Sequence, residues 1–289
     1  LFAGGLGALL PQAVWFQPEP LYFAGLAFTG TLAWWSFRRN PLLLHLALGI
    51  CAGLTYLAKA SVTLLLLAWA GASVLRFALG LLDRSGGRWR EWSPGRFVLG
   101  LALVGAGFGL VTAPRLLYAQ ARFGDPLHAY PKYWMWQQDF GRESVPFMAA
   151  HPRVETIRAL PEAERPGATA YLRRHGWPGT AGRLRDGVTA KIVRFVKPES
   201  RWTGKRTARG WRTLAPTRGL WLLPFLAVCV GYAAFGLVAA DRRTGWTAAG
   251  LCAAVFSAGG FALYALAYGW YDPIGRGDRF MMSLYLPLL

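Results

Sequence analysis

Ser61-Val-Thr-Leu-Leu-Leu-Leu-Ala-Trp-Ala-Gly-Ala-Ser-Val-Leu-Arg-Phe-Ala-Leu-Gly-Leu-Leu82 carries Arg76 as its sole charge. A run of about 18 or more mostly apolar residues is long enough to cross a bilayer core of about 30 Å as a helix. Inside hydrocarbon the chain must satisfy its own backbone hydrogen bonds, so such a run is expected to be helical. Similar runs recur at about residues 1–14, 20–37, 41–58, 97–117, 218–240 and 245–269, the first of them incomplete. The expected fold is therefore an all-α polytopic membrane protein. It comprises a transmembrane helix bundle with a large, partly helical extracytoplasmic loop. Three regions follow: helices over 1–118, the loop over 119–217, and further helices over 218–289. Neither end reads as natural, because Leu1 is not Met and Met281–Leu289 reads as the start of another helix. We expect a fragment lacking its N-terminal part.

The net charge of +18 sits mostly in the segments between apolar runs. Membrane surface is the partner this favours, and nucleic acid is not expected. Positive charge also sets the orientation. With Arg38 and Arg39 in the cytoplasm, Arg84, Arg88, Arg90, Arg96, Arg242 and Arg243 fall on the same side. Arg76 is expected to snorkel there too. The short outer loops then receive only Lys59, Arg276 and Arg279. Segment 119–217 is basic but falls outside; loops beyond about 60 residues translocate largely regardless of charge. The expected location is the cell membrane, a bacterial inner membrane.

Within that loop, Leu184, Val188, Ile192 and Val196 recur every four residues, flanked by Arg183, Arg185, Lys191, Arg194 and Lys197. Such a basic amphipathic helix lies in the headgroup plane or packs on its own loop. Trp34, Trp35, Trp89, Trp92, Trp221, Trp246 and Trp270 fall near predicted helix ends, as an interfacial belt does. Gly105 and Gly109 form a GxxxG pair that permits close helix contact. Cys51, Cys229 and Cys252 stand at no metal or redox spacing and read as packing residues. Phosphate-cradling, HExxH and CxxC motifs are absent, and His45, His128, His151 and His175 show no metal-ligand spacing.

Charges at the outer helix ends are more informative. Glu19 lies between two prolines at a helix mouth, where the dipole favours a carboxylate. Lys59 occupies a tight outer turn between apolar runs, where an ammonium is costly to dehydrate unless it meets an anion such as a lipid phosphate. Arg115 follows Pro114 at the outer end of a span, and Asp272, Arg276, Asp278 and Arg279 crowd the last outer loop. Cations converging on one membrane face suit a phosphate leaving group. The aromatic segment Tyr130–Trp136, with Tyr130 and Trp134 foremost, offers rings on which sugar C–H faces stack, or else anchors the loop at the interface.

These residues also carry a family resemblance. Trp15-Phe-Gln-Pro-Glu-Pro-Leu-Tyr22, then Arg38-Arg39, then Gly49-Ile-Cys-Ala-Gly-Leu-Thr-Tyr-Leu-Ala-Lys59 resembles a recurring block of GT-C membrane glycosyltransferases. That superfamily includes the protein mannosyltransferases (glycosyltransferase family 39-type) and the aminoarabinose transferases of lipid A. Phe123-Gly-Asp-Pro-Leu127 resembles the family's entry to the outer loop. Gly277-Asp-Arg-Phe280 with Pro287 resembles its late R-Y…P element, with Phe replacing the usual Tyr. Tyr171-Leu-Arg-Arg-His175 through Lys191 is similar to an amphipathic loop segment of the family.

The resemblance implies transfer of a sugar from a polyprenyl-phosphate donor to an extracytoplasmic lipid, glycan or protein acceptor. It places the principal acidic residue, acting as base or through a divalent metal ion, in a loop upstream of Leu1. Lys59, Arg115 and Arg279 are then expected to hold the donor phosphate. Glu19, Asp278, Tyr130 and Trp134 are expected to contact sugar or acceptor. The competing class is a secondary transporter or lipid flippase, which places ionisable groups near mid-membrane; a non-catalytic membrane scaffold is a third.

Overall fold

The computed structural model describes residues 19–38, 41–82, 93–129, 131–196 and 247–274. In chain order the helices are α1 (Glu19–Arg38), α2 (Leu42–Ala58), α3 (Val62–Leu82), α4 (Pro94–Phe123) and α5 (Pro131–Trp134). A π-helical turn over Phe140–Ser144 leads into α6 (Val145–Ala150), followed by α7 (Val154–Arg158), α8 (Ala168–Val196) and α9 (Thr247–Trp270). No strand occurs among the described residues.

Local chemistry sets several of these boundaries. Pro94 opens α4 at the position where a missing N–H costs nothing, and the Ser93 hydroxyl accepts from Arg96 N at 3.3 Å. The same helix ends at Gly124, whose φ of +64° is the left-handed value that a helix C-terminus favours. In α8 the regular path breaks at Gly176 (φ 65°, ψ 178°), two residues before Pro178. The Thr180 hydroxyl takes up the Gly176 carbonyl there at 2.7 Å.

Among the described residues, three helical stretches are long and apolar enough to span a membrane: Val62–Leu81, Pro94–Phe123 and Gly250–Trp270. Helix α2, expected as a further span, is equally apolar but has 17 residues. At about 1.5 Å per residue it falls slightly short of a 30 Å core. Helix α4 continues two turns beyond Arg115, so the run read at 97–117 is part of a longer rod. The runs read at 1–14 and 218–240 lie outside the described residues.

The chain divides into two compact units: residues 1–115, 224–263 and 283–289, and residues 116–223 and 264–282. The second unit thus contains the segment read as an outer loop together with the end of α9.

The first unit buries apolar and polar side chains together and exposes further large apolar ones. Large apolar side chains face outward on several helices, including Leu43 at 76% and Leu110 at 72% exposure, whereas Thr29, Ser36, His45, Thr55, Ser73 and Thr112 are buried. An apolar exterior over a partly polar interior is the arrangement lipid solvation favours. Small and hydroxylated residues bring the helices together. Thr29 donates to the Gly25 carbonyl at 2.7 Å and lies 3.4 Å from the Thr55 hydroxyl, joining α1 to α2.

Helices α2 and α4 touch through Gly49, Gly53 and Gly107. A Cβ on Gly49 would overlap the Val104 carbonyl, and one on Gly107 would lie 2.7 Å from the Leu46 carbonyl. The expected pair, Gly105 and Gly109, faces open space instead. The close-contact role belongs to the GxxxG of α2, because the helical phase of α4 turns Gly107 rather than Gly105 toward its neighbour.

Arg76 does not snorkel out of the bundle. It is buried, and its guanidinium donates to the Phe37 carbonyl near the C-terminal end of α1. The negative end of a helix dipole is a favourable site for that charge. His45 is packed likewise, with Nδ1 3.3 Å from the Pro41 carbonyl and its ring 5.9 Å from Trp69.

Candidate functional site

Two of the residues expected to grip a phosphate are described, and both belong to the first unit. Lys59 is the C-cap of α2: its N–H donates to the Thr55 carbonyl at 2.9 Å, and its extended backbone turns the chain into α3. That turn carries its ammonium over the Tyr22 ring, 5.1 Å from the centroid. Tyr22 is fully buried near the start of α1, and its hydroxyl lies 2.8 Å from the Ser61 hydroxyl on the far side of the turn.

Arg115 is exposed on α4 with its guanidinium 5.4 Å from the centroid of Tyr56. Tyr56 in turn packs edge-on against Phe108 at 5.3 Å. Because Tyr56 lies within one turn of Lys59, the two cations share one end of the helix set, each against a tyrosine face. A ring face attracts a cation, by about 0.5–2 kcal/mol depending on desolvation, without neutralising it. The contact between Lys59 and Tyr22 sets the start of α1 beside the end of α2, so Lys59 and Arg38 occupy opposite ends of that helix pair.

Glu19 opens α1, but its side chain lies outside the described residues, as do Tyr130, Asp278, Arg276 and Arg279. Trp134 packs edge-on against Tyr271, with ring centroids 6.4 Å apart. Burial raises the Tyr271 hydroxyl pKa, with the nearby Arg183 charge working against that rise.

The second unit is built on charges that flank the apolar period of the amphipathic helix. Helix α8 buries Arg183, Gly187 and Lys191 on one edge, while Leu184 and Val188 are only half-buried. The apolar period at Leu184 and Val188 therefore does not mark the buried edge, and the side chains of Ile192 and Val196 lie outside the described residues. The physical reason is that each cation meets a partner.

Arg183, 6% exposed, lies 4.2 Å from the Trp270 ring centroid and 5.1 Å from that of Tyr171. Its Nη2 donates to the carbonyls of Trp270 at 2.9 Å and Met135 at 3.2 Å. Lys191, 1% exposed, lies 3.0 Å from an Asp272 carboxylate oxygen. Between them Gly187 meets Gly269, and a Cβ on Gly187 would overlap the Gly269 carbonyl. Asp272 therefore serves as the counter-ion of α8.

The Gly124-Asp125-Pro126 segment also has a local structural account. Gly124 closes α4 with its N–H on the Gln120 carbonyl at 2.8 Å. One Asp125 oxygen accepts from Leu127 N at 3.0 Å; the other pairs with Lys132 and with Arg158 at 2.7 Å. The Lys132 hydrogen bond foremost, against a smaller opposing effect of burial and with help from Leu127 N–H and Arg158, holds this carboxyl below the usual range.

A cavity of about 340 Å³ opens beside Trp136 and Tyr171 in the same unit. Of its lining residues, Trp136 belongs to the aromatic segment expected to offer a sugar platform, whereas Glu143, Glu164 and Tyr171 come from separate segments with no shared spacing. Among the described residues, no group of three or more His, Cys, Asp or Glu side chains could hold a metal ion. No family model, curated protein or solved structure matches the chain.

Proposed function

We propose that this chain is part of an integral membrane glycosyltransferase of the GT-C kind. It would move a sugar from a polyprenyl-phosphate-linked donor to an extracytoplasmic acceptor. The observation that carries this reading is the pair of cations, Lys59 and Arg115, held over Tyr22 and Tyr56 at one end of an apolar helix set. The opposite end of α1 carries Arg38. The positive-inside rule assigns that end to the cytoplasm and Lys59 to the outer face. There a polyprenyl chain lies among the helices while its phosphate meets the two cations.

In the reaction, an acceptor oxygen attacks the anomeric carbon and the bond from that carbon to the phosphate oxygen breaks. The acceptor proton passes to the acidic residue that the resemblance implies. Lys59 and Arg115 stabilise the phosphate as it takes up charge, an electrostatic contribution that grows toward the transition state. The cell membrane is the corresponding location, with the large loop extracytoplasmic.

The test is transfer of labelled sugar from a polyprenyl-phosphate donor in membranes carrying the full-length protein. Lys59→Ala should lower the rate about 10²-fold, the order of loss when one preorganised donor to a developing anion is removed. Lys59→Arg should retain part of the activity. Undiminished transfer in the alanine variant, at equal expression, would refute this assignment.

A second reading, a secondary transporter or lipid flippase, draws on Arg76 and His45, ionisable groups buried among apolar helices. We place it second because Arg76 already caps α1 through the Phe37 carbonyl, and His45 is packed between Pro41 and Trp69. Its signature is substrate uptake into proteoliposomes without sugar transfer.

A further inference from the structure

We propose that the cavity beside Trp136 and Tyr171 is a binding site for an uncharged pyranose ring. In assigning that ring to the acceptor, the inference rests on the transferase reading.

The cavity is walled by two aromatic rings at different angles: Trp136 and Tyr171 have centroids 6.0 Å apart and planes inclined by 48°. The Tyr171 ring is held from three sides. Its hydroxyl accepts from Gln138 Nε2 at 2.6 Å, Arg183 lies against its face, and His175 packs on it at 4.5 Å. Glu143 is fixed through one carboxylate oxygen, which accepts from Gln138 N at 2.7 Å. Glu143 is also one of the lining residues. Arg165 is tied into the scaffold, donating to the carbonyls of Arg158 at 2.7 Å and Leu160 at 3.1 Å. Glu164 and Arg174 are exposed and complete the rim.

Three features select the ligand class. Aromatic walls favour a ligand with weakly polar C–H faces. Carboxylates accept and guanidinium groups donate, so together they read the paired donor and acceptor character of hydroxyl groups. The rim carries Glu143 and Glu164 against Arg165 and Arg174, a balance that disfavours strongly anionic ligands such as nucleotides and strongly cationic ones alike. A volume of about 340 Å³ lies at the small end of the usual range for ligand sites, about 300–1,000 Å³, and suits one or two sugar rings.

The experiment uses the chain in nanodiscs, free of glycoside detergent. Saturation-transfer NMR is run with methyl α-D-glucopyranoside, methyl α-D-mannopyranoside and methyl β-D-galactopyranoside. Transfer to the ring C–H protons of at least one glycoside is expected. Glu164→Gln and Arg174→Gln, both at exposed positions, should each raise its Kd about tenfold, the loss of one charge-assisted hydrogen bond. Unchanged circular dichroism establishes that the variants are folded.

The inference is overturned if no glycoside receives saturation, or if both variants bind as the parent does. Glycoside binding that persists in a protein whose sugar transfer is indifferent to Lys59→Ala would leave the cavity assignment standing and remove the transferase reading. Transfer that depends on Lys59, without any glycoside binding, would do the reverse.

Discussion

Replacing Gly187 by Ala isolates the closest backbone approach in the second unit. The Cβ this adds would overlap the Gly269 carbonyl, and a Cβ on Gly269 would in turn lie 2.7 Å from Val188 N. Both neighbours are backbone, so no side chain can swing aside. Overpacking by a single methyl costs about 1–3 kcal/mol, and an unyielding contact belongs at the upper end. Against this, Gly to Ala inside a helix gains about 1 kcal/mol. The net expected loss is about 2 kcal/mol. Gly182 on the same helix is the control: nothing lies within 4 Å of its added Cβ, so Gly182→Ala should gain up to about 1 kcal/mol. The two variants should therefore differ by about 3 kcal/mol. Thermal unfolding in nanodiscs reads this as a gap of several degrees, at about 2–4 °C per kcal/mol. Midpoints for Gly187→Ala equal to or above those for Gly182→Ala would refute the docking of α8 on the end of α9.

Further outcomes follow from the same contacts. Arg183→Met should cost about 3 kcal/mol in thermal stability, because it removes charged hydrogen bonds to the Trp270 and Met135 carbonyls and the contact with two rings; Arg183→Lys should cost less. Asp125 titrates below its ordinary value when folded, so its contribution is present above the unfolded pKa of about 3.9 and is lost as pH falls through the folded value. Melting midpoints measured from pH 6 downward should fall more steeply in the parent than in Asp125→Asn. Gly49→Ala should destabilise the first unit by about 1–3 kcal/mol, whereas Gly105→Ala, which faces open space, should stay within about 1 kcal/mol of the parent; denaturation by increasing detergent harshness ranks them.

Helices over Val62–Leu82 and Thr247–Trp270 were legible to within about two residues at each end, because a long apolar run leaves the backbone few alternatives. The helical period between Pro161 and Pro198 was equally readable, and α8 occupies it. Which edge of α8 is buried was not. Periodicity ranks faces by apolar content, and it cannot register that Trp270, Tyr171 and Asp272 lie opposite Arg183 and Lys191. The same limit applies to the glycines of α4: GxxxG spacing identifies a strip that permits contact, and the neighbouring helix decides whether Gly105 or Gly107 is used.

Composition and hydropathy by themselves determined that this chain forms apolar helices separated by basic segments, since transfer of side chains from water depends on sequence-local content. They also singled out Lys59 and Arg115 as cations bordering apolar runs. Only the tertiary structure decided that Tyr22 and Tyr56 lie beneath them, that Asp272 is consumed by Lys191, and that a cavity forms beside Trp136 and Tyr171. Those pairings join residues far apart in the chain. Their energies depend on distances that come into being only when the helices pack.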